Sequence, residues 1–179
     1  MAIRDTSAAP AQPSAGTTDD PIDQARRNWE QRGWTAAAPA MATVTAIFRT
    51  QQILLTRIDQ ALRPHGLTFS RYEMLALLQF TRSGALPMSK ASARLQVHPT
   101  SVTNTVDRLE AAGLVRRVVD PNDGRGRLVE ITDAGRDLVA AATPGLNAVF
   151  EDVGMPPEDL DSVYRVLKDF RRATGDLTS

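Results

Sequence analysis

Apolar residues recur at helical spacing along most of this chain and give way to β-branched, alternating runs only between Leu114 and Thr132. From Pro39 to about Leu62, the residues Val44, Ile47, Phe48, Leu54, Leu55, Ile58 and Leu62 occupy more than one face of a long helix. A helix apolar on two sides needs two partners. A further helix is expected to open near Thr68 or Ser70, with Ser70 and Glu73 as a capping box and Met74, Leu75 and Leu78 carried into the core. Beyond Pro87 the spacing predicts two short helices joined by a tight turn. In the second of these, Pro99 to Ala112, the residues Val102, Val106 and Leu109 fall on one apolar face. LVRRVVD and RLVEIT then read as two strands, and PNDGRG between them supplies the residues of a hairpin turn. Thr132 is expected to cap a helix reaching about Phe150, with Pro144 as a kink or break. Pro156 and Pro157 open a last helix lined on one side by Leu160, Val163, Leu167 and Phe170.

Two short helices followed by a hairpin with arginines at its tip make a winged helix-turn-helix, the second helix sized for a DNA major groove and the hairpin placed to reach the adjacent minor groove. Opposite the apolar face, Thr100, Thr103, Asn104 and Asp107 lie together, with Ser101 and Arg108 flanking them where phosphates would sit. Asn pairs bidentately with adenine and the Thr methyl touches the thymine methyl. Pro99 suits the first helical position, where no N–H is needed. Arg125 and Arg127 stand at or beside the wing tip, and Asp123 is close enough in sequence to orient Arg125 toward a narrow, strongly negative minor groove. Taken alone, a Thr/Asn stripe or an Asp and Arg in a turn is more often a solvated surface; the two helices and the wing together favour DNA. The candidate DNA-contacting residues are therefore Pro99, Thr100, Ser101, Thr103, Asn104, Arg108, Arg125 and Arg127.

The chain carries 21 basic and 21 acidic residues, a net charge of zero, which at first argues against nucleic acid. Position changes that picture. Residues 82 to 127 hold eight basic residues against four acidic, a local +4, and the remainder holds 13 against 17, or −4. With no cysteine there is no disulfide and no thiol chemistry, and two distant histidines, His65 and His98, do not make a metal site. No metal or cofactor is expected. No convergent nucleophile and base is present, so an enzyme is not expected either. No membrane span or targeting segment is read, and residues 1–19, rich in Ala, Pro, Ser and Thr, are expected to be a disordered tail; the expected location is cytoplasmic.

GLT at Gly66 to Thr68, VDRLEAAGLVRR at Val106 to Arg117, Asp123-x-Arg125 and ITDAG at Ile131 to Gly135 resemble the MarR family of bacterial transcription regulators, a resemblance spanning roughly Met41 to Arg172. It implies a homodimeric repressor-type protein on a pseudo-palindromic double-stranded operator, with dimerisation by the terminal helices. The expected fold is mainly α with a small β-hairpin wing (α+β). Its parts are a tail over 1–19, N-terminal dimerisation helices over 20–66, a winged helix-turn-helix lobe over 67–132 and C-terminal dimerisation helices over 133–175. The chain departs from the family at Gln96, where many such turns have Gly, and at His98, where Ser or Thr usually caps the reading helix. The resemblance also implies release from DNA by a small anionic or aromatic effector; phenolic acids and acyl-thioesters both suit, and nothing in the residues chooses between them. Trp29, Arg49, Arg71 and Tyr72 are the effector candidates, surface ion pairing being the commoner role of each arginine. Trp29 and its charged neighbours resemble the extra N-terminal helix of a urate-responsive subgroup. Glu73 and Thr105, however, replace that subgroup's Asp and Arg, and urate is not carried over. The alternative is a DNA-binding or dimerisation protein with no effector response.

Overall fold

The structure, a computed structural model, describes residues 20–121 and 123–177, and of Asp123, Gly124 and Arg125 it describes the backbone. The tail expected over 1–19 lies outside the described residues. Among the described residues, seven α-helices and a three-stranded antiparallel sheet follow one another as α1 (Pro21–Gln31), α2 (Ala38–Leu62), a 3-10 turn (Arg63–His65), α3 (Phe69–Gln79), β1 (Ala85–Pro87), α4 (Met88–Leu95), α5 (Pro99–Ala111), β2 (Val115–Asp120), β3 (Asp123–Ile131), α6 (Asp133–Glu151) and α7 (Pro157–Ala173). This is the mainly helical fold with a small β wing that the apolar spacing predicts. No helix of the described residues is long and apolar enough to cross a membrane. The chain divides into two compact units between Gln51 and Gln52.

In the first unit, Asp20 caps α1 by accepting from the Ile22 N–H at 2.9 Å. A turn follows in which the Trp34 N–H donates to the Trp29 carbonyl at 3.0 Å. It sets the two indoles edge to face, with centroids 5.2 Å apart.

The second unit holds one core. Leu62, Met74, Leu75, Leu78, Val102, Val106, Leu109, Val129 and Leu146 are almost fully buried in it. Helix α5 is thereby pinned on its apolar face from α3, α4 and the sheet. Leu86 of β1 and Val129 of β3 face each other in register at the centre of the sheet, whose strand order is β1-β3-β2.

Four local expectations are corrected. The Ser70/Glu73 capping box does not form: α3 begins at Phe69 with Thr68 as N-cap, and the orphan Phe69 N–H is met instead by the Asp59 carboxylate of α2 at 3.1 Å. A partner 10 residues upstream has replaced the local cap. Of the kink or break expected at Pro144, the break does not occur: α6 continues through it, with Val139, Ala142 and Leu146 all buried on the core side. Arg57 steadies the far end of α6, its guanidinium donating to the carbonyls of Asp152 and Val153. The hairpin gains a third strand: β1 pairs antiparallel with β3, Ala85 opposite Glu130, although a three-residue run ending in Pro has no period of its own to read. The hairpin turn is also tighter than PNDGRG suggests, since β3 already begins at Asp123 and the extra residues are absorbed by an irregularity between Val119 and Asp120.

Candidate nucleic-acid interface

Helix α5 separates its two faces cleanly. Val102, Val106 and Leu109 are buried, whereas Pro99, Thr100, Ser101, Thr103, Asn104, Asp107 and Arg108 are exposed. The N-terminus is formed without the usual Ser or Thr. His98 adopts an extended backbone and its Nδ1 accepts from the Thr100 N–H at 3.3 Å, a cap that requires the neutral ring with the proton on Nε2. The Thr103 hydroxyl turns inward and donates to the Pro99 carbonyl at 3.1 Å, which leaves its methyl group as the outward contact surface.

The wing is welded to this helix at its base. The Arg117 guanidinium reaches Glu110 and, at 2.5 Å, Asp107, both on α5, and the Arg117 N–H donates to the Glu110 carboxylate at 2.9 Å. These carboxylates raise the Arg117 pKa further, the hydrogen bond to Asp107 contributing most. Arg116 is engaged with Glu130 across the β2–β3 pair at 2.7 Å, which holds the Glu130 carboxyl below its ordinary range. Two of the eight basic residues counted for this lobe therefore set wing geometry rather than stand free for phosphate. Further out, Arg127 lies in β3 opposite Val119 and is exposed. The backbone of Arg125 lies in the same strand; its side chain and the Asp123 carboxylate are outside the described residues.

Beside the polar face of α5 lies a cavity of about 250 Å3, lined by Thr68, Ser70 and Arg71 from the start of α3 and by Ser101, Asn104, Thr105 and Arg108 from α5. Two arginines and several hydroxyls line it, with no carboxylate. Arg71 is aimed by its hydrogen bond to the Gly66 carbonyl at 3.2 Å. Spacing along the sequence could not have joined Arg71 to Arg108; the packing of α3 on α5 does.

The four effector candidates divide between the two units. Arg71 belongs to the polar cavity just described. Tyr72 is buried in the core, and its hydroxyl is hydrogen-bonded to the Thr143 hydroxyl of α6 at 2.9 Å, so its ring has no open face on which a ligand could stack. Trp29 meets Trp34 in the first unit, and Arg49 is an exposed residue of α2 in that unit. Glu73 and Thr105 line a separate space of about 40 Å3, room for a water molecule or two but not for an aromatic acid.

Burial raises the Glu73 pKa above the ordinary glutamate value of 4.5. The folded carboxyl thus keeps its proton to a higher pH than the unfolded one, so its contribution to stability declines as pH rises from the unfolded value through the folded one. Glu73→Gln is expected to be more stable than wild type at pH 7 and to lose that decline, as urea denaturation at pH 4 and pH 7 measures; equal pH dependence in the two proteins contradicts it. Among the described residues no cluster of His, Cys, Asp and Glu could hold a metal ion.

A MarR family model matches residues 65–126, the stretch that carries the Arg71/Arg108 cavity, the reading helix and most of the wing. Sco5413, a MarR family transcriptional regulator from Streptomyces coelicolor, is 49% identical with a TM-score of 0.71, over 79% of this chain and 99% of that one. CouR from Rhodococcus jostii, solved with p-coumaroyl-CoA, is 27% identical with a TM-score of 0.61, over 75% of this chain and 92% of that one. The HTH-type transcriptional regulator YhbI of Bacillus subtilis is 31% identical over 100 residues, 56% of this chain and 62% of the relative. Helix-turn-helix, welded wing and a 49% identical likeness over 79% of this chain agree: the chain belongs to the MarR family of DNA-binding transcriptional regulators, and that is a family of regulators, not of enzymes.

Proposed function

We propose that the protein is a homodimeric repressor that grips a pseudo-palindromic operator with one α5 in each of two major-groove half-sites and is released by a small effector. The observation that carries the reading is the division of α5 into a buried apolar face and an exposed polar one, with the Arg71/Arg108 cavity at its side. In this reading Thr100, Thr103 and Asn104 meet base edges, Pro99 opens the helix beside them, and Ser101 flanks them on the phosphate side. Arg71 and Arg108 hold a backbone phosphate, and Arg125 and Arg127 reach the minor groove from the wing. Arg71 thus passes from the effector candidates to the DNA side. The helices over 20–66 and 133–175 supply the dimer, for which the exposed apolar stripe of α7 is the support.

An effector of the aromatic acyl-thioester or phenolic class is supported by the likeness to CouR, which was solved with p-coumaroyl-CoA bound. The small volume beside Glu73 and Thr105 argues that such a ligand does not sit there in the single chain.

Binding to a duplex selected from a random pool tests the function directly. Affinity is expected to fall steeply with salt, by a slope of about 0.9 for each phosphate neutralised. Asn104→Ala is expected to cost about 1–3 kcal/mol on the selected sequence and little on a scrambled one. Equal losses on both sequences, or none, remove Asn104 from base readout.

A further inference from the structure

We infer that Gln96 is a positioning residue for DNA reading, clasping the turn of the helix-turn-helix to the C-terminal end of α7. The inference rests on the reading of α5 as the DNA-reading helix.

Gln96 closes α4 and lies three residues before Pro99, where α5 begins. Its φ of 55° and ψ of 39° are left-handed, and it is the only non-glycine residue at positive φ among the described residues. Glycine takes that conformation freely; a residue with a Cβ is strained there and holds it only where its surroundings fix it. The bonds of the turn itself do not explain the choice of Gln. Its N–H donates to the Ser92 carbonyl, and the Ser92 hydroxyl donates to the Val97 carbonyl at 2.6 Å; glycine at position 96 would keep both.

What glycine would lose is the side chain. Gln96 Oε1 accepts from Arg171 at 2.5 Å, and Nε2 lies 3.4 Å from both the backbone carbonyl and the carboxylate of Asp176. Arg171 and Asp176 are joined to each other at 2.6 Å, and the Asp176 N–H returns to the Arg171 carbonyl at 3.0 Å, so the end of α7 presents them as a preformed pair. The amide fits that pair in one orientation only, oxygen toward the guanidinium and NH2 toward the carboxylate. A link spanning 75 to 80 residues therefore acts on the one backbone joint that sets the angle between α4 and α5. With glycine the joint would keep only the bonds of the turn; with Gln it is also clasped, and the pitch of α5 depends on Arg171 and Asp176.

The test is a double-mutant cycle in the full chain, using a duplex selected by the wild type. Gln96→Gly and Asp176→Ala are each expected to weaken specific binding roughly three- to tenfold, in the lower part of the range for residues sharing one hydrogen-bond network, and the double variant to be no weaker than either single. Gln96→Gly is expected to keep or raise the Tm, since glycine suits the left-handed turn, and both variants are expected to keep wild-type affinity for scrambled duplex and wild-type sedimentation. A loss of specific affinity without loss of stability is the signature that a merely structural role would not produce. Additive losses, or wild-type affinity in Gln96→Gly, overturn the clasp while leaving DNA reading intact. A wild-type chain that selects no duplex overturns both.

Discussion

Replacing Gly135 by alanine is expected to destabilise the fold by about 1–3 kcal/mol, although helix propensity alone favours alanine at a helical position by about 1 kcal/mol. The two effects have opposite signs, so the measurement decides between them. Gly135 sits in the first turn of α6, where its N–H donates to the hydroxyl of the cap Thr132 at 3.1 Å. A Cβ added there would lie 2.3 Å from the Leu114 carbonyl oxygen and 2.8 Å from Ile131. Neither neighbour can yield cheaply. The Leu114 oxygen accepts from the Thr132 N–H at 3.1 Å, the Thr132 hydroxyl donates to the Gly113 carbonyl at 2.8 Å, and Ile131 is a buried end of β3. This close approach joins the end of α5, the base of the wing and the start of α6, which accounts for Gly in the ITDAG run. Gly135→Ala should lower Tm by roughly 2–12 °C for a domain of this size. An unchanged or raised Tm would show that the start of α6 can move away from the wing at little cost.

Placing aspartate at Val163 and Phe170 together is expected to convert a dimer to monomers and to weaken operator binding by at least about 100-fold, the gain that linking two half-site contacts ordinarily confers. Val163, Tyr164, Val166, Leu167 and Phe170 leave much of their surface open in the single chain, Val166 and Phe170 about two-thirds of it (66% and 65%). No residue of α7 is buried within its own chain. Apolar surface so concentrated on one helix is the mark of an interface. Because these side chains make little of the core, the double variant should keep its helical spectrum and its salt-dependent binding to nonspecific duplex, losing only what requires two copies. A variant that still sediments as a dimer, or a monomer with full operator affinity, refutes the assignment of α7 to the dimer.

The helices, the wing and the polar face of α5 were legible in the residues because each rests on local periodicity: Val102, Val106 and Leu109 recur with the helical turn, and β-branched residues bounded by Pro, Asn, Asp and Gly make a hairpin. Thr132 as N-cap is likewise a local event, one side chain bonding an N–H three residues on. The motifs that resembled the MarR family carried the same information in condensed form. What the residues could not disclose depends on groups distant along the chain being brought together. Asp59 in place of Ser70 at the head of α3, β1 as a third strand, the continuity of α6 through Pro144 and the withdrawal of Tyr72 into the core are each decided by packing, which outweighs local preferences worth about 1 kcal/mol or less. The same holds for charge. Counting residues gave the lobe a surplus of four, but only the fold shows that Arg116 and Arg117 are bound to carboxylates while Arg71 joins Arg108 beside the reading helix. Gln96 marks the boundary most sharply: its departure from glycine is visible in the sequence, and its reason, a pair of side chains at the end of α7, exists only in three dimensions.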